Sequence, residues 1–88
     1  MAFEEMEYDN YMREGRWCES KADSYFAQKC YSDAKSWYNS AKTNYQKAYD
    51  IASRTNNIPT YEASSCISRV ESAYRDSDYN LGKDWSLF

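Results

Sequence analysis

The sequence contains no histidine among its 88 residues. Histidine is the side chain best suited to proton transfer near neutral pH and the commonest metal ligand. Its absence therefore excludes Ser-His-Asp and Cys-His nucleophilic sites. With only three scattered cysteines and no histidine, a tetrahedral structural zinc site lacks its ligands. Only two glycines are present, Gly15 and Gly82, so no glycine-rich loop can cradle a phosphate. We predict a protein that is not an enzyme and that binds no metal and no cofactor.

Carboxylates are the remaining catalytic candidates, and they cluster near the two ends of the chain. The clusters are Glu4, Glu5, Glu7 and Asp9, and Asp76, Asp78 and Asp84. We expect both segments to be exposed, where nothing raises the pKa of a carboxyl group or excludes water. Neither cluster has the twelve-residue spacing of a calcium loop. The sequence favours solvated charges at both ends.

Aliphatic side chains are also scarce: two Leu, three Ile and one Val stand against ten Tyr, three Trp and three Phe. A core with so few aliphatic residues must pack rings over alanine, and each buried tyrosine hydroxyl then needs a hydrogen-bond partner or access to water. The three cysteines, an odd number without CxxC spacing, indicate free thiols in a reducing compartment. A regulatory disulfide or a reactive thiol is the alternative.

No long apolar run is present, and the first residues are acidic where a targeting signal is basic. We therefore predict a cytoplasmic protein that does not contact a membrane. The net charge of −3 is mild, and Lys and Arg are interspersed with carboxylates. Because a duplex binder shows a strong basic patch, we predict no direct contact with nucleic acid.

The clearest pattern lies between residues 31 and 52, where apolar residues recur in alternating steps of three and four. Such spacing places them on one face of an α-helix, with polar residues opposite. We predict a helix over 32–54, with Ser32 as its amino-terminal cap. The residues of the stripe are Tyr31, Ala34, Tyr38, Ala41, Tyr45, Ala48 and Ala52.

Two further helices are predicted, over about 3–29 and 61–76. Gly15 lies inside the first, where it marks a kink, a break between two helices or a close approach to a neighbour. Asn56 and Asn57, which tolerate the left-handed conformation, end the second helix. The whole chain, 1–88, is predicted to be one all-α domain, a small three-helix bundle of antiparallel helices with a short carboxyl-terminal tail.

The tail, residues 77–88, contains Gly82 but also apolar residues spaced as one helical face: Leu81, Trp85 and Phe88. One interpretation is that these three fold back and close the end of the bundle. The other is a mobile apolar tail that docks on another chain.

Residues 30–42, CYSDAKSWYNSAK, resemble the second helix of a tetratricopeptide repeat, or of the similar three-helix MIT class of peptide-binding domains in membrane trafficking. Tyr31, Ala34, Tyr38 and Ala41 stand where that pattern places a Tyr, an Ala, an aromatic and a second Ala. The similarity covers about one repeat of ~34 residues. It implies a helical hairpin and assigns no binding residue.

The aromatic residues outnumber what a small bundle can bury, and Tyr and Trp are the residues that most often contribute interface energy. We therefore expect a protein-protein interaction module, either an adaptor or a self-associating homodimer, that docks an aromatic, mixed-charge helical surface on a protein partner. The candidate partner-binding residues are Trp17, Trp37, Tyr49, Tyr8, Tyr11, Trp85, Glu4, Glu5 and Glu7. The alternative is a small inhibitor of the type that phages encode, an anti-CRISPR or anti-restriction protein that occludes a nucleic-acid-processing complex.

Overall fold

The computed structural model describes the backbone of residues 3–86 and the side chains of residues 3–83. It contains three α-helices, α1 (Phe3–Ala27), α2 (Tyr31–Arg54) and α3 (Tyr61–Ser86), and no strand lies within residues 3–86. Helix α2 packs along both of the others, whereas α1 and α3 approach each other mainly through long side chains. The molecule is elongated, with extents of 54, 16 and 13 Å. The prediction of an all-α three-helix bundle is confirmed.

The inner face of α2 forms the centre of the core, as its three-four spacing predicts. Tyr38 and Tyr45 are buried there between small residues, and Tyr45 is completely inaccessible to solvent. Tyr31, the first residue of the stripe, is only half-buried and packs edge-on against Phe26. The remaining buried members of the main core are Met12, Cys18, Ala22, Ala34, Ala41, Ala48, Ala63, Cys66 and Val70.

The turn between α1 and α2 is made without glycine. Lys29 adopts a left-handed conformation with φ of 62°, and the N–H of Cys30 donates to the carbonyl of Tyr25 at 2.9 Å. Cys30 is the N-cap of α2, and its side chain makes no capping hydrogen bond. The prediction that Ser32 caps α2 is therefore wrong, because the helix begins at Tyr31 and Ser32 lies inside its first turn.

The second connection also differs from the expectation. Helix α2 ends at Arg54 as predicted, but the N–H of Thr55, in an extended conformation, closes it by donating to the carbonyl of Ala52 at 3.3 Å. Within residues 3–86 the one non-glycine residue with a positive φ is Lys29. The left-handed role proposed for Asn56 and Asn57 is therefore wrong.

Helix α3 is longer than the sequence pattern indicates, and its predicted end at Asp76 is corrected to Ser86. Tertiary contacts support the extension. Ser77 is completely buried and its hydroxyl donates to the carbonyl of Ala73 at 2.9 Å, while Asp78 accepts from Lys35 of α2 at 2.8 Å. Most of the predicted tail is thus a continuation of α3, and Phe88 lies outside the described residues.

Candidate interaction surface

The interface between α1 and α2 is built around a tyrosine that packs onto a glycine. A Cβ atom at Gly15 would lie 2.6 Å and 2.7 Å from ring carbons Cε1 and Cδ1 of Tyr45. Only a residue without a side chain lets the ring lie this close to the α1 backbone. Of the three roles that the sequence left open for Gly15, the structure shows the close approach to a neighbour.

The same tyrosine belongs to a polar network that joins all three helices. Its hydroxyl donates to Oε1 of Glu19 at 2.7 Å, one turn beyond Gly15 on α1. Arg69 of α3 donates to the same carboxylate through Nε at 2.6 Å and Nη2 at 2.7 Å. A two-point contact between guanidinium and carboxylate is both strong and directional. This network fixes α3 beside α1, where few backbone atoms approach.

Protonation energetics follow from these contacts. Burial acts to raise the pKa of Glu19, but the hydrogen bonds from Arg69 and Tyr45 and the charge of Arg69 outweigh it, so that the pKa is lowered. Burial, followed by the bond to Glu19, raises the pKa of the Tyr45 hydroxyl. At neutral pH Glu19 is therefore charged and Tyr45 protonated, as the network requires.

A second tyrosine repeats the arrangement two turns earlier on α2. The Tyr38 hydroxyl donates to Oδ1 of Asp23 on α1 at 2.5 Å, and burial together with that bond raises the pKa of Tyr38. The two acceptors, Glu19 and Asp23, are four residues apart and so lie on one side of α1. Sequence reasoning required partners for buried tyrosines but did not find these. The available signal was that the two tyrosines lie seven residues apart on α2 while two carboxylates lie four residues apart on α1.

Trp17 and Trp37 form an aromatic contact at the surface of the bundle. Their ring centroids are 5.3 Å apart and the planes are inclined by 78°, an edge-to-face arrangement between α1 and α2. Trp37 is half-buried against the core, whereas Trp17 remains 53% exposed. The Lys21 ammonium lies 5.5 Å from the Trp17 ring centroid, within the range of a cation-π contact.

The outward side of α1 exposes two more large apolar residues. Phe3 is 71% exposed and Met6 is 51% exposed. At 100° per residue, Phe3, Met6 and Trp17 fall within an arc of about 60° on a helical projection. We call these three residues the outer face of α1. The sequence analysis selected Trp17 as a candidate but did not select Phe3 or Met6.

The other candidate aromatics are not assembled with the tryptophan pair. Tyr8 and Tyr11 are half-buried and pack against both the main core and a smaller cluster of Ile51, Ala52 and Ile58. Each of these two rings is therefore partly used in folding.

Tyr49 lies elsewhere, at 38% exposure in a shallow groove between α2 and α3 that Ile67 also lines. Within the described side chains, the candidate aromatic residues thus occupy separate parts of the surface rather than one continuous face.

The acidic candidates lie in the first turns of α1. Glu4 is exposed, and Glu5 and Glu7 are half-buried. Carboxylates in a first turn interact favourably with the helix dipole, which gives Glu4 and Glu5 a local structural role. The side chain of Trp85 lies outside the described residues.

All three cysteines are free thiols, and Cys18 and Cys66 are buried. Burial, with a smaller contribution from the charge of Glu14, raises the pKa of Cys18. A thiol in this state is a weak nucleophile. Within the described side chains, no three His, Cys, Asp or Glu residues are grouped closely enough to hold a metal ion. None of the helices, over the residues described, is long and apolar enough to cross a membrane.

Comparison with known proteins gave no match: no family model, no curated protein and no solved structure is significantly similar to this chain.

Proposed function

We propose that this protein is a protein-protein interaction module, and that Trp17, supported by Trp37, is the centre of its binding surface. The single observation behind this proposal is the exposure of Trp17. A tryptophan that serves only the core has its ring covered, yet 53% of this one is open to solvent while its edge-to-face partner anchors it to α2. Large rings held in one orientation lose little entropy when a partner covers them.

The free energy available from this residue is substantial. A tryptophan side chain buries 150–250 Å² when fully covered, so covering the exposed half of Trp17 contributes about 2–3 kcal/mol at about 25 cal/mol per Å². That magnitude is typical of an interface hot spot. Lys21 beside the ring adds a charged rim that favours a carboxylate on the partner.

The test compares two exposed aromatic residues on different helices. Trp17→Ala removes the proposed centre, and Tyr79→Ala, which removes a ring that is 70% exposed on α3, is the matched control. Isotope-labelled tagged proteins are chemically crosslinked to their partners in an extract of the cells that produce this protein, and the captured proteins, including unlabelled copies of this chain, are quantified by mass spectrometry. We expect a partner that wild type and Tyr79→Ala retain and Trp17→Ala loses at least tenfold.

Equal capture by all three proteins would contradict the proposal. Circular dichroism of both variants must show an unchanged helical signal. Loss of helix in Trp17→Ala would itself argue against the proposal, since it would mean that this tryptophan serves the fold.

A further inference from the structure

We infer that the partner of the outer face of α1 is a second copy of this chain, packed antiparallel along α1. This inference rests on the proposed function, because it identifies the chain that covers Trp17. The inference is based on the positions of the exposed apolar and charged residues along α1. When two copies of α1 lie antiparallel, apolar residues of one copy face apolar residues of the other, and a positive residue faces a negative one.

The apolar residues set the register. A two-fold axis at the level of Tyr11 brings Trp17, six residues away in one direction, opposite Met6, five residues away in the other. Phe3 lies one turn further along the same face. The axis generates this contact twice, so each tryptophan covers the exposed Phe3 and Met6 of the other copy. The side chains concerned are 71%, 51% and 53% exposed in the single chain.

The charges independently select the same register. Asp9 and Arg13 lie two residues on either side of Tyr11, on the same edge of the outer face. Both are exposed, and neither forms an ion pair within the described residues. In the antiparallel pair, Arg13 of each copy faces Asp9 of the other, which gives two ion pairs about the axis. Opposite charges placed this way fix both orientation and register.

The other edge of the face opposes association. Glu14 lies three residues from Tyr11 and Glu7 four residues from it on the other side, so these like charges face each other across the pair.

Residues 3–19 overlap in this register, a length of about 25 Å at 1.5 Å per residue. Such a contact is smaller than a standard interface, and we expect a dissociation constant on the order of 10–100 µM.

Sedimentation equilibrium of the purified full chain, over concentrations from about 5 to about 500 µM, tests the inference. We expect a reversible monomer-dimer equilibrium for wild type. Trp17→Ala should raise the dissociation constant at least tenfold, and Tyr79→Ala should leave it unchanged.

Charge variants test the register. Arg13→Asp should weaken the dimer, and adding Asp9→Arg to the same chain should restore it, because the swap recreates both ion pairs. Glu14→Lys should tighten the dimer, since it replaces repulsion from Glu7 with attraction.

A monomer at every concentration, or a dimer that Trp17→Ala and the charge variants leave unchanged, would overturn the inference. The capture experiment with Trp17→Ala would then test the proposed interaction module independently of the dimer, because a different partner that covers Trp17 would still depend on that residue.

Discussion

Replacing Gly15 with alanine gives the sharpest test of how α1 and α2 are held together. The added Cβ would lie 2.6 Å from Cε1, 2.7 Å from Cδ1 and 3.0 Å from Cζ of Tyr45. Ordinary van der Waals contact begins at 3.4 Å, so the shortest of these distances is 0.8 Å too small. The ring cannot move aside freely, because its hydroxyl is bound to Glu19, which Arg69 holds from the other side.

The magnitude follows from two opposing effects. Alanine is favoured over glycine in a helix interior by about 1 kcal/mol. Overpacking a filled core typically costs about 1–3 kcal/mol, and the clash with a fixed ring places this site toward the upper end. We therefore expect Gly15→Ala to lower the free energy of unfolding by about 1–2 kcal/mol, measured by urea denaturation with circular dichroism at 222 nm.

The chain provides its own control at the other helical glycine. A Cβ at Gly82 meets nothing within 4 Å, so Gly82→Ala should show the propensity effect alone and raise stability by about 0.5–1 kcal/mol. In a background that carries Tyr45→Leu, Gly15→Ala should lower the free energy of unfolding by less than it does in wild type. A double-mutant cycle measures this coupling between the two positions. If Gly15→Ala stabilises the protein as much as Gly82→Ala does, the packing account of Gly15 is refuted.

Three further predictions concern the tyrosine-carboxylate hydrogen bonds and the turn between α1 and α2. Glu19→Gln should destabilise the protein by about 1–3 kcal/mol at neutral pH. Because the folded-state pKa of Glu19 lies below 4.5, the wild-type protein should lose this advantage over the variant as the pH falls below that value. A stability advantage of wild type that persists in denaturation at acidic pH would contradict this prediction. Tyr38→Phe should cost about 1 kcal/mol by removing the bond to Asp23, and Asp23→Asn, which keeps an acceptor, should cost less in the same assay. Lys29→Gly should stabilise the protein by about 1 kcal/mol and raise the thermal midpoint by several degrees, because glycine adopts the left-handed conformation of this position without the steric cost that lysine has. A lowered midpoint would contradict this prediction.

The arrangement of the helices could be predicted where periodicity alone decides it. The three-four spacing of apolar residues on α2 identifies the buried face without knowledge of any neighbour, and Tyr38, Ala41 and Tyr45 are buried as that pattern indicates. The end of α3 could not be predicted in this way. Serine, aspartate and glycine after Asp76 favour a break locally, whereas the burial of Ser77 and the ion pair of Asp78 with Lys35 depend on tertiary packing.

The candidate site shows the same division. The excess of aromatic residues correctly indicates that some rings remain exposed, but exposure depends on which side of α1 faces α2. Trp17 is half-exposed, whereas Tyr8 and Tyr11 on the same helix reach a second apolar cluster at the end of α2. The contact of Gly15 with Tyr45 and the bond of Glu19 to Arg69 join residues 30 and 50 positions apart. No local pattern could have paired them.

Site-specific photo-crosslinking tests most directly the central claim that the surface around Trp17 meets another protein. A benzophenone amino acid is introduced at Ser20, an exposed residue that lies beside Trp17 and Lys21 on α1, at the end of the segment that overlaps in the antiparallel pair, and in a separate variant at Ser72, an exposed position on α3. We expect a crosslinked species from the Ser20 variant, in pure protein or in cell extract, that Trp17→Ala abolishes and that the Ser72 variant does not form. Crosslinks from Ser72 alone, or crosslinks from Ser20 that persist in Trp17→Ala, would contradict the claim.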